Sequence, residues 1–148
     1  PPDDWLREIV DKFRVSHPAL TIDCRAPSTL VRMDPYLMEL ALSNLLVNAC
    51  RYAHKAVVVD MRIDTGRNVL AVEDDGPGIP AAEREQVFRA FTRLDTSRNR
   101  STGGYGLGLA IVTRIAALHG GTAGADESTL GGARLLVSWP GGAGPPPG

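Results

Sequence analysis

Trp5, Leu6, Ile9, Val10 and Phe13 recur at helical spacing among charged residues, which predicts a helix over Asp3–Val15 that His17-Pro18 ends. Two short apolar stretches, Leu20–Cys24 and Leu30–Met33, read as strands. Asp34 suits a helix cap and Pro35 the first helical position. Met38, Leu42, Leu45, Leu46 and Ala49 share one arc of a projection at about 100° per residue, so the helix should run to about Tyr52 and bury that arc. Ala56–Ile63 and Asn68–Glu73 are apolar and β-branched, and Asp64-Thr-Gly-Arg67 between them is a hairpin signal. Gly76-Pro77-Gly78 breaks the chain, and Ala81–Phe91 holds one or two short helical turns. Leu94–Gly104 is polar with almost no apolar anchor, which predicts a mobile loop. A helix over Leu107–Leu118, ended by Gly120-Gly121, and strands near Thr122–Ala125 and Ala133–Trp139 close the pattern. Hairpins mixed with helices, rather than alternating βαβ units, predict a two-layer α/β sandwich. Its mostly antiparallel mixed sheet should hold about five strands, with about three helices on one face.

Composition narrows the picture. The 148 residues suit one domain, here 1–140, and the Gly/Pro-rich remainder 141–148 is expected to be a disordered tail. Apolar residues make up 43%, yet no uncharged apolar run approaches the roughly 20 residues of a membrane helix. Pro1-Pro2-Asp3-Asp4 is polar and Trp5 through Phe13 alternates with charges, so a secretory signal is not expected in this stretch. A net charge of -1 argues against a nucleic-acid surface. Cys24 and Cys50 lie far apart with no ligand cluster, as in a reduced, cytosolic domain, and His17, His54 and His119 lack metal-ligand spacing.

Three clusters carry candidate chemistry. On the central helix, Asn44, Asn48 and Arg51 share an arc apart from the apolar one, with Tyr52 at its edge. Asparagine carbonyls are hard, neutral ligands suited to Mg²⁺, and a guanidinium can hold a phosphate oxygen. The strip can equally be the solvated side of an amphipathic helix, although two asparagines inside a helix carry a propensity cost. Glu73-Asp74-Asp75-Gly76-Pro77-Gly78-Ile79 ends a strand, so that Asp74 could accept from an exocyclic amine while the glycines admit a flat ring. An acidic turn is the plain alternative. A calcium loop is excluded, because Ala71 and Ala82 stand where its first and twelfth ligands belong. Finally, Gly103-Gly104-Tyr105-Gly106-Leu107-Gly108-Leu109 leads into a helix, and glycine-rich helix N-termini hold phosphates through backbone N–H groups. A flexible linker fits poorly with the apolar residues that follow. The spacing is not a dinucleotide fingerprint, and no Gly-Lys-Ser/Thr triplet supports a P-loop.

Taken in order, these clusters resemble the sensor histidine kinase catalytic domain, of the superfamily shared with gyrase, MutL and a heat-shock chaperone. Asn44-Leu-Leu-Val-Asn-Ala49 resembles the N box, and Asp74-Asp-Gly-Pro-Gly-Ile79 the first glycine box. Phe88-Arg-Ala-Phe91 is similar to the F box, and Gly104-Tyr-Gly-Leu-Gly-Leu109 to the second glycine box. His119-Gly-Gly and Gly131-Gly-Ala…Trp139-Pro140 fit the family's end. The resemblance implies a Bergerat-type ATP-binding fold with ATP and Mg²⁺ as cofactors. It implies that Asp74 bonds the adenine amine, Tyr52 flanks the ring, Asn48 ligates Mg²⁺ with Asn44 beside it, and Arg51 lies near the phosphates. Gly76, Gly78 and Ile79 would line the adenine side, and Gly103, Gly104, Tyr105, Gly106, Leu107, Gly108 and Leu109 the phosphate side. Leu94–Gly104 would be the ATP lid, with Arg98 and Arg100 reaching for the β- and γ-phosphates and Phe88 and Phe91 anchoring its near end. Relatives often carry threonine where Ala133 stands, so one adenine-side hydrogen bond is expected to be missing or filled by water.

Relatives that hydrolyse ATP or phosphorylate serine generally carry glutamate four residues before the metal asparagine, as general base. Here that position is Asn44, which cannot take a proton. The resemblance therefore implies transfer to an imidazole, which attacks with its own lone pair. None of His17-Pro18, His54-Lys55 and His119-Gly120 has the family's phosphoacceptor motif. The acceptor is expected on a separate helical dimerisation domain, which would pass phosphate to a response regulator. The implied setting is cytoplasmic, beneath a bacterial inner-membrane sensor, with this domain itself monomeric and binding no nucleic acid. A degenerate nucleotide-binding module and a superfamily ATPase or serine kinase are the other classes; intact boxes weigh against the first and Asn44 against the second.

Overall fold

Helix α1 (Pro2–Ser16) buries Leu6, Ile9 and Val10, one apolar stripe repeating at three and four residues. Acidic Asp3 and Asp4 in its first turn and Arg14 in its last complement the helix dipole. The structure is a computed structural model that describes residues 2–27, 29, 31–80, 82 and 106–141. Strand β1 (Thr21–Arg25) follows, then α2 (Pro35–Tyr52), β2 (Ala56–Asp64), β3 (Arg67–Asp74), α3 (Gly106–Leu118), β4 (Thr122–Glu127) and β5 (Ala133–Pro140).

The five strands form one sheet in the order β1-β2-β3-β5-β4. β1 runs parallel to β2, and every other pair is antiparallel. The β2–β3 hairpin turns at Thr65-Gly66, both at positive φ (46° and 79°), as a two-residue turn matched to strand twist requires. Alternate residues of β2 (Val57, Val59, Met61) and β5 (Ala133, Leu135, Val137, Trp139) face a core shared with all three helices. On the other face the register places Arg134 between Glu73 and Asp126, and Arg25 opposite Asp60, so unlike charges lie in adjacent rows.

The expected two-layer sandwich is therefore the observed one, and Met38, Leu42, Leu45, Leu46 and Ala49 of α2 are all buried. The strand expected at Leu30–Met33 is a correction: residues 31–33 form no strand. Arg32 O takes its hydrogen bond from a side chain instead. Trp139 Nε1–H donates to Arg32 O at 2.8 Å, and the segment then enters the α2 cap at Asp34. The turns expected over Ala81–Phe91, the loop Leu94–Gly104 and the tail beyond Gly141 lie, but for Ala82, outside the described residues. Among the described residues no helix is long and apolar enough to cross a membrane. Burial pushes the Cys50 thiol up to about 11, consistent with an inert core cysteine.

Candidate nucleotide site

β3 delivers Asp74 to the end of the sheet, where its side chain is only 2% exposed. Its Oδ1 accepts from Gly76 N–H at 2.9 Å and from Ala133 N–H at 3.3 Å. Oδ2 takes no hydrogen bond among the described residues, which leaves it as an acceptor for a ligand. Burial pushes this carboxyl above its ordinary value, and the Gly76 and Ala133 amides pull only partly against it. Two glycines make the cradle possible. A side chain on Gly76 would overlap the Tyr52 carbonyl, and one on Gly132 would overlap the Asp74 carboxylate and backbone. Ala133 contributes to the cradle through its backbone N–H. A cleft of about 580 Å³ opens between the Pro77–Pro80 turn and the Glu127–Gly132 turn, beside this cradle.

The next residue does something different. Asp75 turns back to the start of β2, where its carboxylate accepts from the N–H groups of His54 (2.7 Å), Lys55 (3.0 Å) and Ala56 (3.1 Å). Burial disfavours its charge, but the backbone donors of Lys55, Ala56 and His54 outweigh that and hold the carboxyl below its ordinary value. The two neighbouring carboxyls are therefore shifted in opposite directions. Sequence reasoning assigned Asp74 and passed over Asp75; the available signal was the short His54-Lys55 connection, whose N–H groups need acceptors.

α2 supplies the second half of the site. Asn48 is 3% exposed, and neither its Oδ1 nor its Nδ2 has a hydrogen-bond partner among the described residues. A buried amide left so costs about 1–3 kcal/mol unless something outside the described residues binds it. One turn earlier, Asn44 is half-buried and donates from Nδ2 to Leu40 O at 2.8 Å. Its Oδ1 faces α3, where a Cβ on Gly108 would come within 2.7 Å of it. Arg51 is exposed on the last turn and Tyr52 half-buried beside Gly76. The predicted polar strip is thus graded: Asn48 belongs to the buried side and Arg51 to solvent.

Gly76, Gly78 and Ile79 stand beside Asp74 as the sequence suggested, with Gly78 at φ 79° against Gly132 and Ile79 buried. Leu109 is buried in the first turns of α3, whose backbone also contains Gly106, Leu107 and Gly108. Phe88, Phe91, Arg98, Arg100, Gly103, Gly104 and Tyr105 lie outside the described residues. Among the described residues no cluster of His, Cys, Asp and Glu could hold a metal, so the asparagine amides are the donors on offer.

An aspartate cradled at a strand end, a buried amide unpartnered among the described residues and a glycine-led helix on a one-sided sandwich together point to a nucleotide-binding domain. The chain belongs to the histidine kinase-, DNA gyrase B- and HSP90-like ATPase family, whose model matches residues 33–142. It is 56% identical over 141 residues to the sensor protein RstB of Escherichia coli strain K12, covering 92% of this chain and 32% of that protein. It is 44% identical over 107 residues to the sensor histidine kinase CpxA of the same strain, covering 72% of this chain and 23% of that one. Among solved structures, the ATP binding domain of PrrB from Mycobacterium tuberculosis superposes with a TM-score of 0.76 at 30% identity, covering 95% of this chain and 93% of that one. The chain therefore spans about a third or less of the length of these sensor proteins. The histidine kinase resemblance read from the boxes is borne out.

Proposed function

We propose that this chain is the ATP-binding catalytic domain of a two-component sensor histidine kinase. It would transfer the ATP γ-phosphoryl group to a histidine on a separate dimerisation domain, from which a response regulator takes it. The carrying observation is the asparagine pair on α2: Asn48 buried with an amide unpartnered among the described residues, and Asn44 one turn before it with no group able to take a proton.

Asp74 Oδ2 is the acceptor for the adenine amino group, and the backbone donors on Oδ1 fix its direction. Tyr52 flanks the ring at the end of α2. The unpartnered Asn48 amide fits a Mg²⁺ ion, with Oδ1 as ligand and Asn44 beside it; the bound ion would neutralise charge on the phosphate oxygens. Arg51, exposed at the last turn of α2, adds positive charge on the phosphate side. Arg98 and Arg100 are proposed to reach the β- and γ-phosphates, and Gly103, Gly104, Tyr105, Gly106, Leu107, Gly108 and Leu109 to line them. With no base at position 44, a water or serine nucleophile would keep its proton, whereas an imidazole attacks through a lone pair it already has. Docking on the dimerisation domain supplies the in-line geometry. The setting this implies is the cytoplasmic side of a membrane-anchored sensor.

The test mixes this domain with the separately expressed histidine-bearing segment of its parent, Mg²⁺ and γ-labelled ATP. Acid-labile, base-stable label on the partner is the expected result. Measurable ATP binding without label would indicate a non-catalytic nucleotide module, and acid-stable label a serine kinase.

A further inference from the structure

Helices α2 and α3 meet at two fixed points taken in opposite chain order, so they run antiparallel. At one, the missing side chain of Gly108 makes room for Asn44 Oδ1. At the other, Asp34 N–H donates to His119 Nε2 at 3.0 Å. From Asp34 to Asn44 is about 15 Å along α2, and from Gly108 to His119 about 16 Å along α3, at about 1.5 Å of rise per residue. The two spans match, so the pair has two closed rungs.

The His119 rung fills a specific vacancy. Asp34 caps α2 with its carboxylate, which accepts from Tyr36 and Leu37 N–H. In a reciprocal cap, a Glu or Gln three residues on would accept from the cap residue's own N–H. Leu37 stands there and cannot, and His119 accepts that N–H from the far end of the chain. Since a backbone amide can only donate, Nε2 is unprotonated, and Nδ1–H donates to Ile115 O at 2.8 Å. The ring cannot slide. It is 4% exposed, lies edge-on to Trp139, and is the last residue before the Gly120-Gly121 turn, whose N–H groups return to Ala117 and Ala116 carbonyls. Gly120 takes φ 74°, and a side chain on Gly121 would overlap Ser138 O, so β5 fixes this end of α3.

We infer that His119 is a positioning residue for the phosphate end of the nucleotide. By bonding Asp34 N–H it sets the axial register of α2 against α3, and with it the spacing between Asn48 and the glycine-led first turn of α3. The inference rests on the nucleotide reading above. Asp74 stands on β3 and is held by Gly76 and Ala133, outside this helix pair. Register therefore bears mainly on the phosphate half of the ligand, which α2 and α3 build together, whereas to the adenine half the pair contributes only Tyr52, at the end of α2.

The experiment compares adenosine and Mg²⁺-ATP affinities for the wild type, His119→Phe, which keeps a ring without an acceptor, and His119→Gln, whose Oε1 can take the Asp34 N–H. His119→Phe is expected to weaken Mg²⁺-ATP on the order of tenfold and adenosine less than twofold, with His119→Gln close to the wild type. If the phenylalanine variant does not fold, His119→Asn serves: it can still reach Ile115 O but is too short for Asp34, and should show the same selective loss. Equal weakening of both ligands, no weakening of either, or a folded glutamine variant as impaired as the phenylalanine one overturns the inference while the nucleotide reading stands. A wild type that binds neither ligand overturns the nucleotide reading, and this inference with it.

Discussion

Asp74 and Asp75 leave the end of β3 side by side, one at the proposed nucleotide space and the other turned back to its own fold; burial raises the first and backbone donors lower the second. Replacing Asp74 by Asn keeps an Oδ1 acceptor for Gly76 and Ala133 N–H but puts a donor where Oδ2 was. ATP affinity should fall about 10- to 100-fold, the worth of one hydrogen bond to a charged group, measured by calorimetry. Thermal stability should hold or rise, because a buried charge raised above its ordinary value destabilises the fold wherever it is ionised. Asp75→Asn should do the reverse. It loses charge-assisted bonds to three N–H groups, at a cost of about 1–2 kcal/mol after allowance for partial exposure, and leaves nucleotide affinity within about twofold. The folded carboxyl lies below its unfolded value, so its stabilisation is fully present above the unfolded value near about 3.9 and is lost as pH falls through the folded one. Denaturant melts of wild type and variant should therefore stay a constant distance apart from about pH 5 upward and converge below about pH 4.

Helix α2 was legible because its instructions are local: a cap at Asp34, a proline at the next position and an apolar arc that the core buries. The β2–β3 hairpin was legible for the same reason, through Thr65-Gly66. Residues 31–33 were not. Their apolar character looks like a strand, and only the three-dimensional arrival of Trp139 at Arg32 O, with His119 at the adjoining Asp34 N–H, shows that side chains from the chain's far end meet this segment. In the site, the motifs named Asp74, Asn44 and Asn48, but burial separated Asn48 from the solvated strip in which a projection had placed it. That separation predicts a trade-off within α2. Asn48→Leu is near-isosteric, removes two unpartnered polar atoms and improves helix propensity, so the apo domain should gain about 1–3 kcal/mol. The same variant should bind ATP equally well with Mg²⁺ or with EDTA, whereas the wild type should favour Mg²⁺. An apo domain no more stable than the wild type would show that Asn48 is already satisfied from outside the described residues.

Across the molecule the site occupies one end, where β3 stops, α2 ends and α3 begins, while the other end is tied off by side chains. Trp5 reaches Pro35 O, Trp139 reaches Arg32 O and His119 reaches Asp34 N–H, so α1, β5 and α3 all converge on the entry to α2. α1 precedes the family-matched residues 33–142, yet Leu6, Ile9 and Val10 belong to the same buried cluster as the α2 and β5 core. It is thus part of the fold's stability without touching the ligand space. Leu6→Ala should cost about 2–5 kcal/mol as a cavity in a packed core. At roughly 2–4 °C per kcal/mol for a domain near this size, the apo melting temperature should drop by about 4–20 °C. Because the lesion lies in the core under α1, the affinity of the folded fraction should not change. Saturating Mg²⁺-ATP at about 100 times its Kd should then raise the melting temperature of wild type and Leu6→Ala by the same free energy, about 2.7 kcal/mol, as linkage to the native state requires. Asp74→Asn should show the opposite pattern, with its apo melting temperature kept and its ligand-induced rise reduced. A Leu6→Ala variant whose ligand-induced rise shrinks along with its melting temperature would mean that α1 reaches the nucleotide through α2, and that fold and site are one cooperative unit.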